Sequence, residues 1–228
     1  MHRSGSPGPR VLRVVSPTPS SDASLTPLTG VSISLEEREA RNAHKACVVW
    51  FTGYSGAGKS TLAARLQRRL FDLSVQTMLL DGDEVRRGLC RDLGFSAEDR
   101  TENIRRVAEV ASLFYQAGHV VLCAFISPFA QDRRLARSLV PEGRFFEVYV
   151  RCPLAVCKER DPHGLYGKAL RGEIPEFTGV SSPYEAPQHP AVIADTEVEN
   201  VETIVAAIFE RLAGHLRPPP EGKRRSQE

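Results

Sequence analysis

The stretch Gly53-Tyr-Ser-Gly-Ala-Gly-Lys-Ser60 fits the phosphate-binding pattern G-x-x-x-x-G-K-[ST] at every fixed position. Its three glycines let the backbone curl so that successive N–H groups point at one anion, and a helix beginning near Lys59 would add its positive dipole end. In such loops the lysine reaches the outer phosphates of a nucleotide, and the final hydroxyl, here Ser60, binds Mg²⁺. The stretch therefore predicts a nucleoside triphosphate as ligand. The alternative is a glycine-rich turn that merely carries a lysine.

The flanking sequence supplies the strand and the helix that this loop requires. Residues 47–52 form an apolar run of strand length upstream, and Leu62, Leu66 and Leu70 follow at helical spacing downstream. Strand, loop and helix thus occur in the expected order, so we predict that the loop binds a nucleoside triphosphate together with Mg²⁺. The residues expected to surround the phosphates are Gly53, Tyr54, Ser55, Gly56, Ala57, Gly58, Lys59, Ser60 and Thr61.

Composition limits the partners and the compartment. The chain has 228 residues, 41% of them hydrophobic, which is enough for one core but cramped for two domains. Its 30 basic and 28 acidic residues give a formal charge of +2, so there is no broad positive field for nucleic acid. The five cysteines show neither C-x-x-C spacing nor an even count, a pattern typical of reduced thiols in a cytoplasmic protein. The longest apolar run, residues 120–126, is far shorter than the roughly 20 residues that cross a bilayer, so we expect a soluble protein.

Proline and serine are frequent at the start of the chain, and prolines recur at its end. Such segments bury too little apolar surface to offset the entropy of ordering. We therefore predict a disordered tail over residues 1–34, one folded domain over residues 35–216 and a second disordered tail over residues 217–228. Arg3, Arg10 and Arg13 leave an organelle transit peptide as an alternative, although the prolines would break its amphipathic helix.

Apolar runs of strand length recur along the folded part, separated by segments of helical period. They lie at residues 47–52, 75–80, 119–126, 145–150 and 191–194. Alternation of this kind predicts an α/β fold in which helices cover both faces of a five-stranded, mainly parallel sheet. The polar stretches 160–166 and 176–184 lie between a helix and the last strand, and we interpret them as a lid loop over the reacting phosphates.

The clearest helix is predicted between Ser96, which caps it, and Gly118, which ends it. Its buried stripe consists of Ile104, Val107, Ala108, Ala111 and Phe114. Arg100 and Asn103 lie on the same stripe one turn earlier, so we expect both side chains to face inward. An inward arginine needs an anion, either a ligand or an acid such as Glu84.

Two carboxylates, Asp81 and Asp83, directly follow the second apolar run. In a parallel sheet this position is the carboxyl edge, where ligands bind beside the phosphate loop. The two side chains could hold Mg²⁺ or take the proton from an attacking hydroxyl in phosphoryl transfer. Turn formation and helix capping are the alternative.

These motifs together resemble one family, the adenylyl-sulfate kinases of sulfate assimilation, over residues 46–212. The phosphate loop is shared with many kinases, but residues 81–89, 91–95, 100–109, 126–129, 164–166 and 177–179 are similar to this family alone. The resemblance implies a P-loop kinase fold and transfer of the ATP γ-phosphate to the 3′-hydroxyl of adenosine 5′-phosphosulfate (APS). It also implies a homodimer and leaves association with a sulfurylase open.

The resemblance further implies roles for particular residues. Arg86, Arg100 and Asn103 would grip the phosphosulfate. Phe95 and Phe177 would sandwich the adenine of the acceptor, and the lid and neighbouring loop would contribute Ile126, His163 and Lys168. Ser127 falls where the family has an assigned phosphoserine intermediate, but no general base lies near it in sequence, which favours a positioning role.

The chain departs from the family in the lid, where His163 and Gly167 replace common lysines and Lys168 keeps the next basic position. Two alternatives remain at this stage. The first is a kinase for a nucleoside monophosphate or a small polyol. The second is a nucleotide-dependent switch or a silent regulatory subunit, against which the retained Lys59 and Asp81 argue.

Overall fold

The computed structural model describes residues 32–216. The predicted tails therefore lie outside the described residues, apart from residues 32–34, and so does the transit-peptide alternative. Within the described part, Ser34 caps the first helix in a capping box with Glu37. The first described helix thus begins at Leu35.

A five-stranded sheet forms the centre of the protein, and all four of its strand pairs are parallel. The strand order is β2-β3-β1-β4-β5. The strands are β1 (Cys47–Thr52), β2 (Thr77–Asp81), β3 (Val120–Ala124), β4 (Phe145–Arg151) and β5 (Val192–Asp195). The five predicted runs are confirmed within a few residues, and the sheet is entirely rather than mainly parallel.

Helices cover both faces of the sheet. They are α1 (Leu35–Asn42), α2 (Lys59–Asp72), α3 (Gly82–Arg87), α4 (Ala97–Gln116), α5 (Ala130–Ser138), α6 (Leu154–Arg160), α7 (Leu165–Leu170) and α8 (Val201–Leu216). The long helix α4 begins and ends where its capping signals predicted, with the Ser96 hydroxyl accepting the Asp99 N–H at 3.1 Å. None of the helices within residues 32–216 is both long enough and apolar enough to span a membrane.

The alternation of buried side chains along β1 explains the two cores. Cys47, Val49 and Phe51 pack with α2 and α8 on one face, while Val48 and Trp50 pack with α4 and α5 on the other. Because both faces are covered, every residue of β1 is buried. All five cysteines are buried free thiols, as the sequence predicted.

The parallel arrangement brings three connections to one edge of the sheet. The phosphate loop follows β1, Asp81 ends β2, and residues 125–129 follow β3. Ligands of open parallel sheets bind at this carboxyl edge. The predicted site residues near these connections are thereby gathered from distant parts of the sequence.

Candidate active site

The phosphate loop adopts a conformation that requires glycine. Gly56 and Gly58 have φ angles of 74° and 101°, in the left-handed region that other residues rarely adopt. A Cβ atom on Gly56 would lie 3.0 Å from the Cys157 carbonyl oxygen, so α6 presses on the loop from outside. The loop is thus held by its packing as well as by its glycines.

Lys59 is buried at the start of α2, with 8% of its surface exposed. Its ammonium group donates a hydrogen bond to the Tyr54 carbonyl oxygen at 2.6 Å, across the curve of the loop. Burial lowers the pKa of Lys59 to about 8, which the nearby Cys157, Asp81 and Asp83 only partly oppose. The protonation state of Lys59 therefore depends on the groups that surround its ammonium.

The Asp81 carboxylate joins the loop to the second strand. One oxygen accepts the Ser60 hydroxyl at 2.6 Å, and the other accepts the Asp83 N–H at 3.0 Å and so caps α3. The capping alternative for this residue is therefore correct, and it coexists with a contact to the residue predicted to bind Mg²⁺. No group of three or more acidic, histidine or cysteine side chains within residues 32–216 could hold a metal by itself.

Arg100 and Asn103 face inward from α4, as the helical period predicted, with 9% and 4% of their surfaces exposed. The Arg100 guanidinium donates to the Thr178 and Ser182 hydroxyls at 2.9 and 3.0 Å and lies 5.2 Å from the centre of the Phe129 ring. An ion pair with Glu84 does not form.

The acid beside Arg100 is instead Glu176, at 3.8 Å and half-exposed. A weak, solvated pair of this kind does not neutralise a buried guanidinium. Two buried atoms of the same helix, Arg100 Nε and Asn103 Oδ1, have no hydrogen-bond partner in the described part of the chain. Orphaned polar atoms are costly, so this pair marks a place where a polar ligand fits.

Arg86 lies between the second strand and α4. Its guanidinium donates to the Gly94 carbonyl at 2.9 Å and stacks 4.4 Å from the centre of the Phe95 ring. Burial lowers the pKa of Arg86 from its usual value, although an arginine stays charged throughout the physiological range. Phe95 itself is half-exposed, so its ring offers a free surface beside a cation.

Phe177 is placed differently from Phe95. Only 8% of its surface is exposed, and its ring packs edge-on against Tyr166, with 5.1 Å between the centres. Among the described rings, Phe95 and Phe177 form no stacked pair. In this conformation Phe177 offers little surface to a planar base, and the adenine sandwich stays a prediction.

Ser127 lies in the connection after β3 with only 2% exposure. Its hydroxyl accepts the indole N–H of Trp50 at 3.1 Å, and its backbone is left-handed, with φ of 38°. The neighbouring Ile126 carbonyl accepts the Thr52 hydroxyl at 2.7 Å. In this conformation the Ser127 hydroxyl is not open to a phosphoryl group.

The predicted lid is only partly a loop. It contains α7, and Tyr166 within that helix is buried and donates its hydroxyl hydrogen to the Ser55 carbonyl at 3.1 Å. His163 lies exposed, with its Nε2 3.6 Å from an Asp83 carboxylate oxygen, while Lys168 is exposed. The lid is therefore attached to the phosphate loop through Tyr166 and lies beside α3 at His163.

Sequence reasoning missed several residues that surround the site. Thr178 and Ser182 bond to Arg100, and Tyr184 lies 4.9 Å from Tyr54 and shares a 3.0 Å hydrogen bond with the Thr52 hydroxyl. These residues occur in a polar stretch without periodicity. The stretch indicated a lid, but no local signal indicates which of its hydroxyls meets an arginine about 80 residues away.

Comparison with known proteins identifies the family. The family model described as adenylylsulphate kinase matches residues 45–195. A probable adenylyl-sulfate kinase of Halalkalibacterium halodurans is 58% identical over 178 residues, which are 78% of this chain and 88% of that protein. The adenylyl-sulfate kinase of Acaryochloris marina is 52% identical over 181 residues, 79% of this chain and 88% of that protein.

A solved structure agrees with these relatives. The Mycobacterium tuberculosis APS kinase, in complex with AMPPNP and APS, superposes with a TM-score of 0.71 and 43% identity over 75% of this chain and 99% of that one. A hexameric APS kinase from Thiobacillus denitrificans has a TM-score of 0.58 and 33% identity over 76% of this chain and 30% of that one. Together with the phosphate loop and the orphaned polar atoms of α4, these matches show that the chain belongs to the adenylyl-sulfate kinase family.

Proposed function

We propose that this chain transfers the γ-phosphate of ATP to the 3′-hydroxyl of APS, giving 3′-phosphoadenosine 5′-phosphosulfate and ADP. The observation that carries the proposal is the pair of buried, unpartnered atoms on α4, Arg100 Nε and Asn103 Oδ1. They lie on a helix that packs against the strand feeding the phosphate loop. A kinase that phosphorylates a small acceptor needs an ATP site and a separate site for that acceptor. The phosphate loop and the polar atoms on α4 would provide these two sites.

The ATP side of the reaction uses the loop and Lys59. Phosphate oxygens that enter the loop would replace the Tyr54 carbonyl as partner of the Lys59 ammonium. The same cation then stabilises the charge that develops on the transferring phosphoryl group. The attachment of Tyr166 to Ser55 places the lid beside these phosphates, where it would exclude water.

The oxygen donors of Ser60 and Asp81 fit Mg²⁺. The Ser60 hydroxyl and the Asp81 carboxylate, which are hydrogen-bonded to each other, offer the oxygen ligands that Mg²⁺ prefers. Mg²⁺ usually takes only one or two protein ligands beside waters and substrate phosphates. The absence of a larger acidic cluster in residues 32–216 agrees with such a shared site. When bound, Mg²⁺ would neutralise charge on the phosphates.

The acceptor side uses the cations that face inward. Arg86 and Arg100 are these cations, and together with the Asn103 amide N–H they would donate to a phosphosulfate. Among the described residues, the acid nearest Arg100 is Glu176, which is 3.8 Å away and half-exposed. Phe95 would contribute its exposed ring to the adenine. Of the two carboxylates, Asp83 suits the general base better than Asp81, because both Asp81 oxygens already accept hydrogen bonds.

The proposal is tested by measuring phosphate transfer from ATP to three acceptors: APS, AMP and water. We expect APS to be strongly preferred and the product to carry its new phosphate on the 3′ oxygen, as identified by mass spectrometry and nuclease sensitivity. The matched control is Lys59→Met, which should abolish transfer without altering the melting curve. Equal rates with AMP would point to a nucleoside monophosphate kinase instead.

Three further predictions concern the state of the protein. The homodimer, an association with a sulfurylase and a cytoplasmic location follow from the family resemblance and from the reduced cysteines. Light scattering of the purified chain, alone and mixed with a sulfurylase, tests the first two. Fractionation of the native host tests the third.

A further inference from the structure

Arg133 is a buried arginine on α5 that binds three separate segments of the chain. Only 4% of its surface is exposed. Its Nε donates to a Glu147 carboxylate oxygen at 2.8 Å, and its two terminal nitrogens donate to the Ser127 and Glu185 carbonyl oxygens at 2.7 and 2.6 Å. The planar guanidinium thus connects β4, the connection after β3 and the segment 182–185, which begins within the lid stretch 176–184.

Two of these segments also surround Arg100. The connection after β3 carries Phe129, over whose ring Arg100 lies, and the segment 182–185 carries Ser182, which bonds to Arg100. Glu185 ties the two segments together directly. Its N–H donates to the Pro128 carbonyl at 2.9 Å, and its carboxylate accepts the N–H of residue 130 at 2.7 Å.

The backbone that Arg133 holds is strained. Ser127 has a φ of 38°, and left-handed conformations of residues other than glycine persist only where the surroundings enforce them. The Ser127 carbonyl oxygen accepts a hydrogen bond from the Arg133 guanidinium at 2.7 Å. The Thr52 hydroxyl also donates to this oxygen, but over a longer distance of 3.4 Å. Arg133 is therefore the main restraint on this carbonyl among the described side chains.

We infer that Arg133 is a positioning residue for APS: it fixes the two segments that place Arg100 and that border the acceptor site. The inference rests on the proposed function. It does not make Arg133 a ligand of the substrate, because all three of its nitrogens are used by the protein. Loss of Arg133 would let both segments move, so that Arg100 no longer points at the phosphosulfate.

Arg137 provides the matched control. It lies one turn further along α5 and donates to the other Glu147 oxygen at 3.1 Å, but it touches neither the Ser127 nor the Glu185 carbonyl. Arg137→Met thus removes one positive charge from Glu147, as Arg133→Met does, and leaves the two segments held. If Arg133→Met does not fold, the double variant Arg133→Met with Glu147→Gln removes the buried charge as well.

Steady-state kinetics provide the first measurement. We expect Arg133→Met to lower kcat/KM for APS by about 10- to 100-fold, because misplacement by about 1 Å has effects of this size. The KM for ATP should change by less than about twofold, since the phosphate loop is untouched. Arg133→Lys should recover only part of the lost kcat/KM. Its ammonium keeps the positive charge, but it cannot donate to three separate acceptors in one plane as a guanidinium does.

The single tryptophan provides a second measurement that needs no substrate. Trp50 is fully buried and donates to the Ser127 hydroxyl, so its accessibility reports on the connection after β3. Acrylamide should quench Trp50 more strongly in Arg133→Met than in the wild type, and equally in Arg137→Met and the wild type.

These measurements separate the two ideas. If the wild-type chain transfers no phosphate to APS, the proposed function fails, while the quenching comparison still tests the restraint on Ser127. Equal kinetics and equal quenching in Arg133→Met and Arg137→Met would overturn the positioning role. A parallel loss of ATP and APS affinity that follows the melting temperature would overturn it too, because that pattern indicates a structural role only.

Discussion

The buried ammonium of Lys59 predicts how ATP binding depends on pH. Burial lowers the pKa of Lys59 to about 8, so before a nucleotide binds the group is mostly charged at neutral pH and mostly neutral at pH 9. Phosphate oxygens favour the charged form and raise its pKa. Binding above pH 8 therefore requires uptake of a proton, and the apparent affinity must fall as the pH rises.

The size of the effect follows from this pKa. With a pKa of about 8, roughly nine tenths of Lys59 is protonated at pH 7 and roughly one tenth at pH 9. If only the charged form binds, the Kd for ATP weakens by about tenfold between these pH values, which equals about 1.4 kcal/mol. A lysine with its usual pKa of about 10.4 would cause almost no change in this range.

Calorimetric titration with AMPPNP and constant Mg²⁺, in steps between pH 6.5 and 9.5, measures this slope. Lys59→Met is the control, because it keeps the buried stem and removes the group that titrates. In the variant we expect weaker AMPPNP binding and no pH dependence from the side chain at position 59. Titration of the nucleotide itself would affect both proteins equally. The same slope in the wild type and the variant would show that Lys59 is not the titrating group and would contradict this prediction.

Substitutions at four other positions, Arg100, Asp81, Asp83 and His163, test the acceptor site and the carboxylates. Arg100→Ala should weaken APS binding by about 2 to 4 kcal/mol with AMPPNP binding unchanged, and Arg100→Lys should recover only part of this, as separate titrations would show; a parallel loss of both ligands with a lower melting temperature would instead indicate a structural role. Asp81→Asn keeps an oxygen to cap α3 but loses the charge beside Ser60, so we expect turnover to fall by about 10²-fold or more at nearly constant stability, with near-normal turnover in both this variant and Asp83→Asn as the contradicting result. His163→Lys should tighten APS binding, because a lysine ammonium is a stronger partner for an anionic phosphate than an imidazole is; unchanged affinity would show that His163 serves only its contact with Asp83.

Local patterns predicted the elements well wherever the periodicity was strong. The inward stripe of α4 is an example: Ile104, Val107 and Ala111 are buried, and so are Arg100 and Asn103 one turn earlier. Phe114, the last member of the predicted stripe, is only half-buried, while its neighbour Tyr115 is buried. The short helix α7 was not predicted within the lid, because six residues carry too little period to distinguish a helix from a loop.

The phosphate loop, the parallel sheet and the family could be predicted from local motifs, because the residues of each motif are close together along the chain. The contacts of those residues came from the tertiary structure. It placed Phe177 against Tyr166 in the core, gave Arg100 the hydroxyls of Thr178 and Ser182, and joined Ser127 to Glu185 through Arg133. The contacts of Arg100 join residues 78 and 82 positions apart, and the contact of Arg133 with Glu185 joins residues 52 positions apart, so no local periodicity encodes them. Only the packing of helices on the completed sheet brings such side chains within bonding distance.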